Sequence, residues 1–311
     1  MVLTVAESQT ATAAAPALPE LATTQDAGPV GDSGASIRRR IAYVVLIGYA
    51  LLMLIPFTWT VITSFKTVPD AVRLTLIPEP FTLQGWETAW TRLDPALPQL
   101  FFNSFLLAGS VMITNVVLGS MAGYAFARLR FPGRDVLFVL VLASLMIPDQ
   151  LRLVPVYLML NNGPIDFVNS SPINYLSVII VLAVQVESVF LLRQFFLSIP
   201  RELEEAAKID GAGYFTTFLR VILPLGAPAL AAVAILQFQG AWNNFFWPLI
   251  LYQEQSHWTL PLGLAQFRNF FEVDWPALTA VVVMATLPIL LLYLYFQRYF
   301  VAGIASSGVK G

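Results

Sequence analysis

The sequence predicts an all-α polytopic membrane protein, and three observations carry that prediction. Hydrophobic residues make up 57% of the 311 and charged residues only 12%, with a mean hydropathy of +0.72, whereas a soluble domain carries about 25% charged residues. Apolar runs near or above the roughly 20 residues that cross a bilayer recur along the chain. These runs lack the period-two alternation of barrel strands, and hydrocarbon tolerates no unpaired peptide groups, so they read as helices.

Residues 1–36 are rich in Ala, Thr and Pro and hold no aromatic residue, so they read as a disordered tail. Arg38-Arg39-Arg40 then precedes an apolar run too long for a signal peptide, which makes that run an uncleaved first span. Hydrophobic continuity gives six spans, at about 41–63, 102–126, 136–160, 175–197, 226–251 and 277–300, each long enough to cross with some tilt. Arg38, Arg39, Arg40, Arg128, Arg130, Arg134, Arg193, Arg201, Lys208, Arg220, Arg298 and Lys310 fall on one side, against Lys66, Arg73, Arg92 and Arg268 on the other. By the positive-inside rule both termini and the 198–222 connection are cytoplasmic. The long outer connection, 64–101, holds Pro78-Glu79-Pro80 followed by Trp86, Trp90 and Leu93. A short interfacial helix and an irregular loop anchored by its Trp residues both suit that pattern.

The most soluble-looking stretch lies between the fourth and fifth spans. Pro200 suits the start of a short helix over 202–209, Glu202, Glu204 and Glu205 favour its dipole, and Gly211 and Gly213 suit an abrupt stop. Capping alone accounts for those carboxylates and glycines. Ala206 and Ala207 add close approach, and Tyr214, Phe215 and Phe218 add a small apolar surface rimmed by charge. Such a surface suits a partner site or a helix lying on the membrane.

The spacing Glu205-Ala206-Ala207, three residues, Gly211, nine residues, Val221-Ile222-Leu223-Pro224 resembles the EAA coupling loop of bacterial ABC importer permeases. The resemblance covers about 37–311 as a transmembrane permease domain and is most specific to carbohydrate-uptake permeases of the maltose-transporter type, in the smaller six-span subunit. Further matches are Ala125-Phe126-Ala127-Arg128-Leu129-Arg130-Phe131-Pro132-Gly133, Met146-Ile147-Pro148-Asp149-Gln150 and Phe190-Leu191-Leu192-Arg193-Gln194-Phe195-Phe196. Ala241-Trp242-Asn243-Asn244 also matches, although aspartate is commoner at its last position, and Val221 stands where isoleucine is more usual.

The resemblance implies that loop 201–223 forms two short helices around a tight turn and inserts into a cleft of the ATP-hydrolysing subunit. Its ATPase-coupling residues would be Glu205, Ala206, Ala207, Gly211, Leu223 and Pro224. The implied location is the bacterial plasma (inner) membrane, in contact with lipid. The implied partners are a homologous second permease subunit, two ABC ATPase subunits and an extracytoplasmic solute-binding protein. No cofactor would bind this chain, since ATP and Mg are used by the partner subunits. The segments Gln297–Gly303 and Gly308–Gly311 also look like the family's tail, which reaches toward the ATPases; a flexible chain end is the plainer reading.

Polar groups inside spans mark candidates for the solute pathway. Asp149, Gln150 and Arg152 lie between Pro148 and Pro155 in the third span, where two prolines disturb helical bonding. Glu187 lies near the middle of the fourth span, at a depth that suits an ion pair with Arg152, for which Asp149 competes. A structural polar clamp and solute contact both account for these charges. Gln237, Gln239, Trp242, Asn243 and Asn244 give the fifth span amides for sugar hydroxyls and an aromatic face for pyranose C–H surfaces, although amides also join transmembrane helices.

Other classes find less support. A net charge of −2 and a pI near 5.5 offer no basic surface for nucleic acid, and the absence of cysteine excludes disulfides and thiolate chemistry. The single histidine, His257, lies in an outer loop, and no His-Glu-x-x-His motif, Gly-x-Ser-x-Gly elbow or phosphate-binding loop occurs. An intramembrane enzyme is therefore the weaker alternative, and a permease for a non-sugar solute the nearer one. A transport subunit that leaves ATP hydrolysis to another polypeptide is the expectation.

Overall fold

The computed structural model describes residues 33–171, 173–267 and 273–307, and every regular element among them is helical. The chain divides at Leu54/Ile55 into two units. In the first, every side chain from Ile37 to Leu54 is exposed, the condition of a helix whose apolar surface is solvated by lipid. Of the expected tail at 1–36, residues 1–32 lie outside the described residues, as do Gly308–Gly311 and Arg268; residues 33–36 are helical, since the first helix starts at Ser33.

The principal helices are α1 (Ser33–Thr63), α2 (Leu97–Arg128), α3 (Arg134–Ala143), α4 (Asp149–Asn161), α5 (Tyr175–Leu182), α6 (Val186–Ser198), α7 (Glu202–Ile209), α8 (Ala227–Trp242) and α9 (Trp275–Ser307). Three are unbroken and long and apolar enough to cross a membrane, over Ile37–Thr63, Leu97–Arg128 and Trp275–Arg298. Three bent pairs bring the number to six if each is one span.

The expected third span is not one straight helix. Its arms Arg134–Met146 and Asp149–Asn161 meet at 106°, because Ile147 before Pro148 is held extended at φ −93°, ψ 109°. The fifth also departs from 226–251: α8 ends at Trp242, and Phe246–Leu251 forms a separate helix whose Trp247 N–H donates to Asn244 Oδ1 at 3.1 Å. Asn243-Asn244 is a helix break. In the 64–101 connection, Gln84–Thr91 is helical, and Leu93 beyond it is buried in the core. Lys66 in the same connection is fully buried. Its Nζ donates to the carbonyls of Arg73 at 3.1 Å and Thr75 at 2.7 Å and to Thr75 Oγ1 at 3.1 Å.

Two apolar clusters hold the second unit together. The larger gathers Leu97, Leu100, Leu107, Phe238, Trp242, Trp247, Phe267 and Val281. Trp242 is at its centre, with Phe105 edge-on at 4.9 Å and Phe238 stacked at 5.6 Å between ring centroids. The smaller joins Tyr124 and Ala127 of α2, Leu192, Phe196 and Ile199 around the end of α6, Phe218 and Ile222, and Val233 of α8.

Helices α2 and α6 pack closely because α2 presents Gly119 and Gly123, a small-xxx-small pair. A Cβ at Gly123 would come within 3.0 Å of Leu192 Cβ and of the Arg193 nitrogen, and one at Gly119 within 3.2 Å of Ser188 Cβ.

Candidate functional site

The segment 202–225 is a helix, a turn and a second helical stretch. Helix α7 stops in two nested bonds, Gly211 N–H to the Lys208 carbonyl at 3.0 Å and Ala212 N–H to the Ala207 carbonyl at 2.9 Å. Gly211 adopts φ +82°, the left-handed conformation that this stop requires and that glycine alone takes without a Cβ penalty. The chain then runs through Tyr214–Thr217, a π-helical turn at Phe218–Ile222, and Leu223–Leu225. Pro224 has no N–H to offer the Arg220 carbonyl, which explains the widened turn just before it. At Gly226 the chain bends by 78° into α8.

One side of the segment is anchored and the other is free. Phe218 and Ile222 are buried in the smaller cluster, and Leu223 packs against it. Ile209, Tyr214 and Phe215 are 87%, 62% and 64% exposed, beside exposed Glu205, Ala206 and Lys208. Ala207 is half-buried and Gly211 and Pro224 are exposed. An apolar patch rimmed by charge, on a backbone held by a core, is a kind of surface that more often meets a partner than solvent.

The anchoring has an ionic part that sequence reasoning missed. Arg128, the last residue of α2, has a side chain 3% exposed and lies 3.0 Å through Nε from Glu204 Oε1. The contact is an ion pair without an aligned N–H···O bond, since neither atom has a hydrogen-bond partner. Arg128 Nη2 also donates to the carbonyls of Phe196 and Ile199. Arg193 Nε of α6 returns the link to the Phe126 carbonyl at 3.3 Å. In the sequence Arg128 carried a topological charge and a place in the 125–133 match, and Glu204 was one of three acidic residues at a helix start.

The pathway candidates separate. Arg152 pairs with Asp149, one turn away on α4, and not with Glu187. Glu187 is exposed in the first turn of α6, and Gln150 is exposed at the start of α4. On α8, Gln239 and Asn243 are exposed with Leu236 and Gly240, at spacings that put all four on one helix face. Gln237 and Asn244 are half-buried, the latter occupied in its cap. Trp242 is 2% exposed and belongs to the core, so its ring faces no pathway.

A second residue that sequence reasoning missed is Asn115, fully buried in the middle of α2. Its Nδ2 donates to the Leu182 carbonyl at 2.7 Å and the Val111 carbonyl at 2.9 Å, while its Oδ1 accepts from Gln185 N–H at 2.7 Å and Ser188 Oγ at 3.0 Å. The Leu182 carbonyl and the Gln185 N–H are groups freed where α5 and α6 break, at a 41° bend across Ala183-Val184-Gln185. No glycine or proline lies in that break, and an inserted side chain is the cause. The legible signal was a lone amide in an apolar run.

A bundle with broken helices, polar groups on an exposed span face and an anchored surface segment defines a membrane transport component. Residues 115–306 match the family described as the binding-protein-dependent transport system inner membrane component. The chain belongs to that family, as a transmembrane permease subunit of an ABC importer; it is not the enzyme of the system, and ATP hydrolysis is carried by separate subunits. It is 34% identical to the diacetylchitobiose uptake system permease protein NgcG of Streptomyces coelicolor, over 89% of this chain and 91% of the relative. It is 35% identical to the arabinooligosaccharides transport system permease protein AraQ of Halalkalibacterium halodurans, over 87% and 97%. A crystal structure of a bacterial ABC transporter that imports the acidic polysaccharide alginate contains a chain of the same fold. The TM-score is 0.72 at 21% identity, over 88% of this chain and all of that one.

Proposed function

We propose that the chain carries a sugar or sugar derivative inward by alternating access, with segment 202–225 as the element that couples it to the ATPase. The names of the relatives support the substrate class. The observation that carries the coupling role is the free apolar and acidic face of 202–215 set on a buried anchor at Phe218 and Ile222. A docking helix must be exposed to its partner and stiffly joined to what it moves. Glu205, Ala206, Ala207 and Gly211 supply the docking face and its turn, and Leu223 and Pro224 supply the return into α8.

The subunit works with a homologous second permease, two ATPases that bind ATP and Mg, and an extracytoplasmic receptor that delivers the solute. Both termini and the coupling segment face the cytoplasm, a reading that the arginine distribution supports, and the tail that precedes α1 lies on that side. The exposed amides Gln239 and Asn243 supply the solute pathway with hydrogen-bonding groups, and Glu187, Gln150 and the Asp149–Arg152 pair, apart from them, add charge and a further amide to it.

Uptake and ATP hydrolysis by the reconstituted importer test the coupling role. Glu205→Ala should lower uptake per ATP about tenfold, a usual size for a coupling free energy. Gly211→Val, which forces a branched residue into a left-handed conformation at a cost of roughly 1–2 kcal/mol, should do the same with membrane insertion intact. Normal uptake in both variants contradicts the proposal.

A further inference from the structure

We propose that Arg128 and Glu204 form the joint that makes the coupling helix α7 move as one body with α2 and α6. The inference rests on the reading of 202–225 as the docking element and concerns how motion leaves it. Helix α7 is exposed over most of its surface; only Glu204 and Ala207, three residues apart and therefore on one face, are partly buried. Ala207 can offer packing alone. Glu204 offers a carboxylate, and the group opposite it is the Arg128 guanidinium at 3.0 Å.

That guanidinium is already committed to two other helices. It ends α2, and its Nη2 donates to the carbonyls of Phe196, in the last turn of α6, and of Ile199, just past that helix. A planar guanidinium can donate to the two carbonyls and hold its charge beside the carboxylate in one fixed geometry, which a lysine ammonium on a flexible stem does less rigidly. Arg193 cross-links α2 and α6 a second time through the Phe126 carbonyl, so those two helix ends are fixed to each other independently. Arg128 extends that link to α7 through Glu204.

The burial of the pair is what makes it a mechanical element. The Glu204 side chain is 12% exposed and that of Arg128 3%, so water does not screen the attraction or replace either partner at low cost. Glu204 differs in this from its neighbour Glu205, which is exposed and available to the ATPase. Arg128 and Glu204 act on motion through the helices they join. Both are positioning residues.

The chain contains no cysteine, so paired spin labels can be placed at will. In the assembled importer, labels at Ile209 and Met121, both exposed, report the joint between α7 and α2; labels at Met121 and Leu291 report the rearrangement of the spans on trapping with ATP and vanadate. Arg128→Lys keeps the charge and loses the fork, and Glu204→Gln keeps the shape and loses the charge. Each should broaden the joint distance about twofold and reduce the vanadate-driven change in the span distance, with the double variant no worse than the poorer single one, as expected for two halves of one contact.

Glu205→Ala is the control, since it should leave the joint narrow and abolish the span change. If Glu205→Ala acts so and Glu204→Gln changes neither distance, the joint is disproved while the docking reading stands. If the span distance moves normally in Glu205→Ala, the docking reading falls, and the joint with it. Loss of ATPase co-purification in both Arg128→Lys and Glu204→Gln would also overturn the inference, by reducing the pair to a folding contact.

Discussion

Within α8 and the break that follows it, adjacent residues of similar chemical promise have opposite surroundings. Trp242 is enclosed by Phe101, Phe105 and Phe238, whereas Asn243, the next residue, is exposed. Trp242→Ala should therefore lower stability by about 3–5 kcal/mol, a core truncation, seen as a lower thermal midpoint of the purified importer. Asn243→Ala and Gln239→Ala should leave that midpoint unchanged and lower uptake. A loss of uptake in Trp242→Ala without a loss of stability would return the indole to the pathway. Composition already implied that this helix faces an interior; which residue faces which interior depended on a helical phase that only packing sets.

Among the helices, the breaks are the informative features, and they have different causes. Pro148 bends the third span and is legible in the sequence; Asn244 caps a new helix and was read there as a pathway group. The break between α5 and α6 is imposed from outside, by Asn115 on α2. Asn115→Leu should orphan the Leu182 carbonyl and the Gln185 N–H, each worth roughly 1–3 kcal/mol when buried, and lower the thermal midpoint accordingly. An unchanged midpoint would mean that another contact holds the bend.

For the second unit as a whole, the end that holds His257 is tied together by a buried polar network that spans distant parts of the chain. His257 Nδ1 lies 3.0 Å from Asn174 Oδ1, Asn174 Nδ2 donates to the Leu251 carbonyl at 2.9 Å, and the imidazole rests on the Tyr175 ring at 4.0 Å between centroids. Burial desolvates the imidazolium and holds the His257 pKa below its ordinary 6.5, against a weaker upward pull from Glu254. A folded-state value below the unfolded one means that the neutral form is the stable one: its contribution is complete above pH 6.5 and is lost as the pH falls through the folded-state value. The thermal midpoint should fall as the pH is lowered from about 7 to 5, and His257→Gln should flatten that dependence.

The sequence by itself determined the all-helical membrane class, the repeated apolar runs, the helix and glycine stop at 202–211, and the spacing that resembles the coupling loop. Each of these is a local property: hydrophobicity summed over a run, a turn that needs a positive φ, a proline without an N–H. Tertiary structure decided what depends on residues far apart in the chain, namely that Arg128 meets Glu204, that Asn115 enters the break near Gln185, that Arg152 takes Asp149 and leaves Glu187 alone, and that Trp242 is core. The physical reason is the same in each case. A polar group buried in an apolar bundle must find its partner wherever packing brings one, and hydropathy along the chain carries no information about which helix faces which.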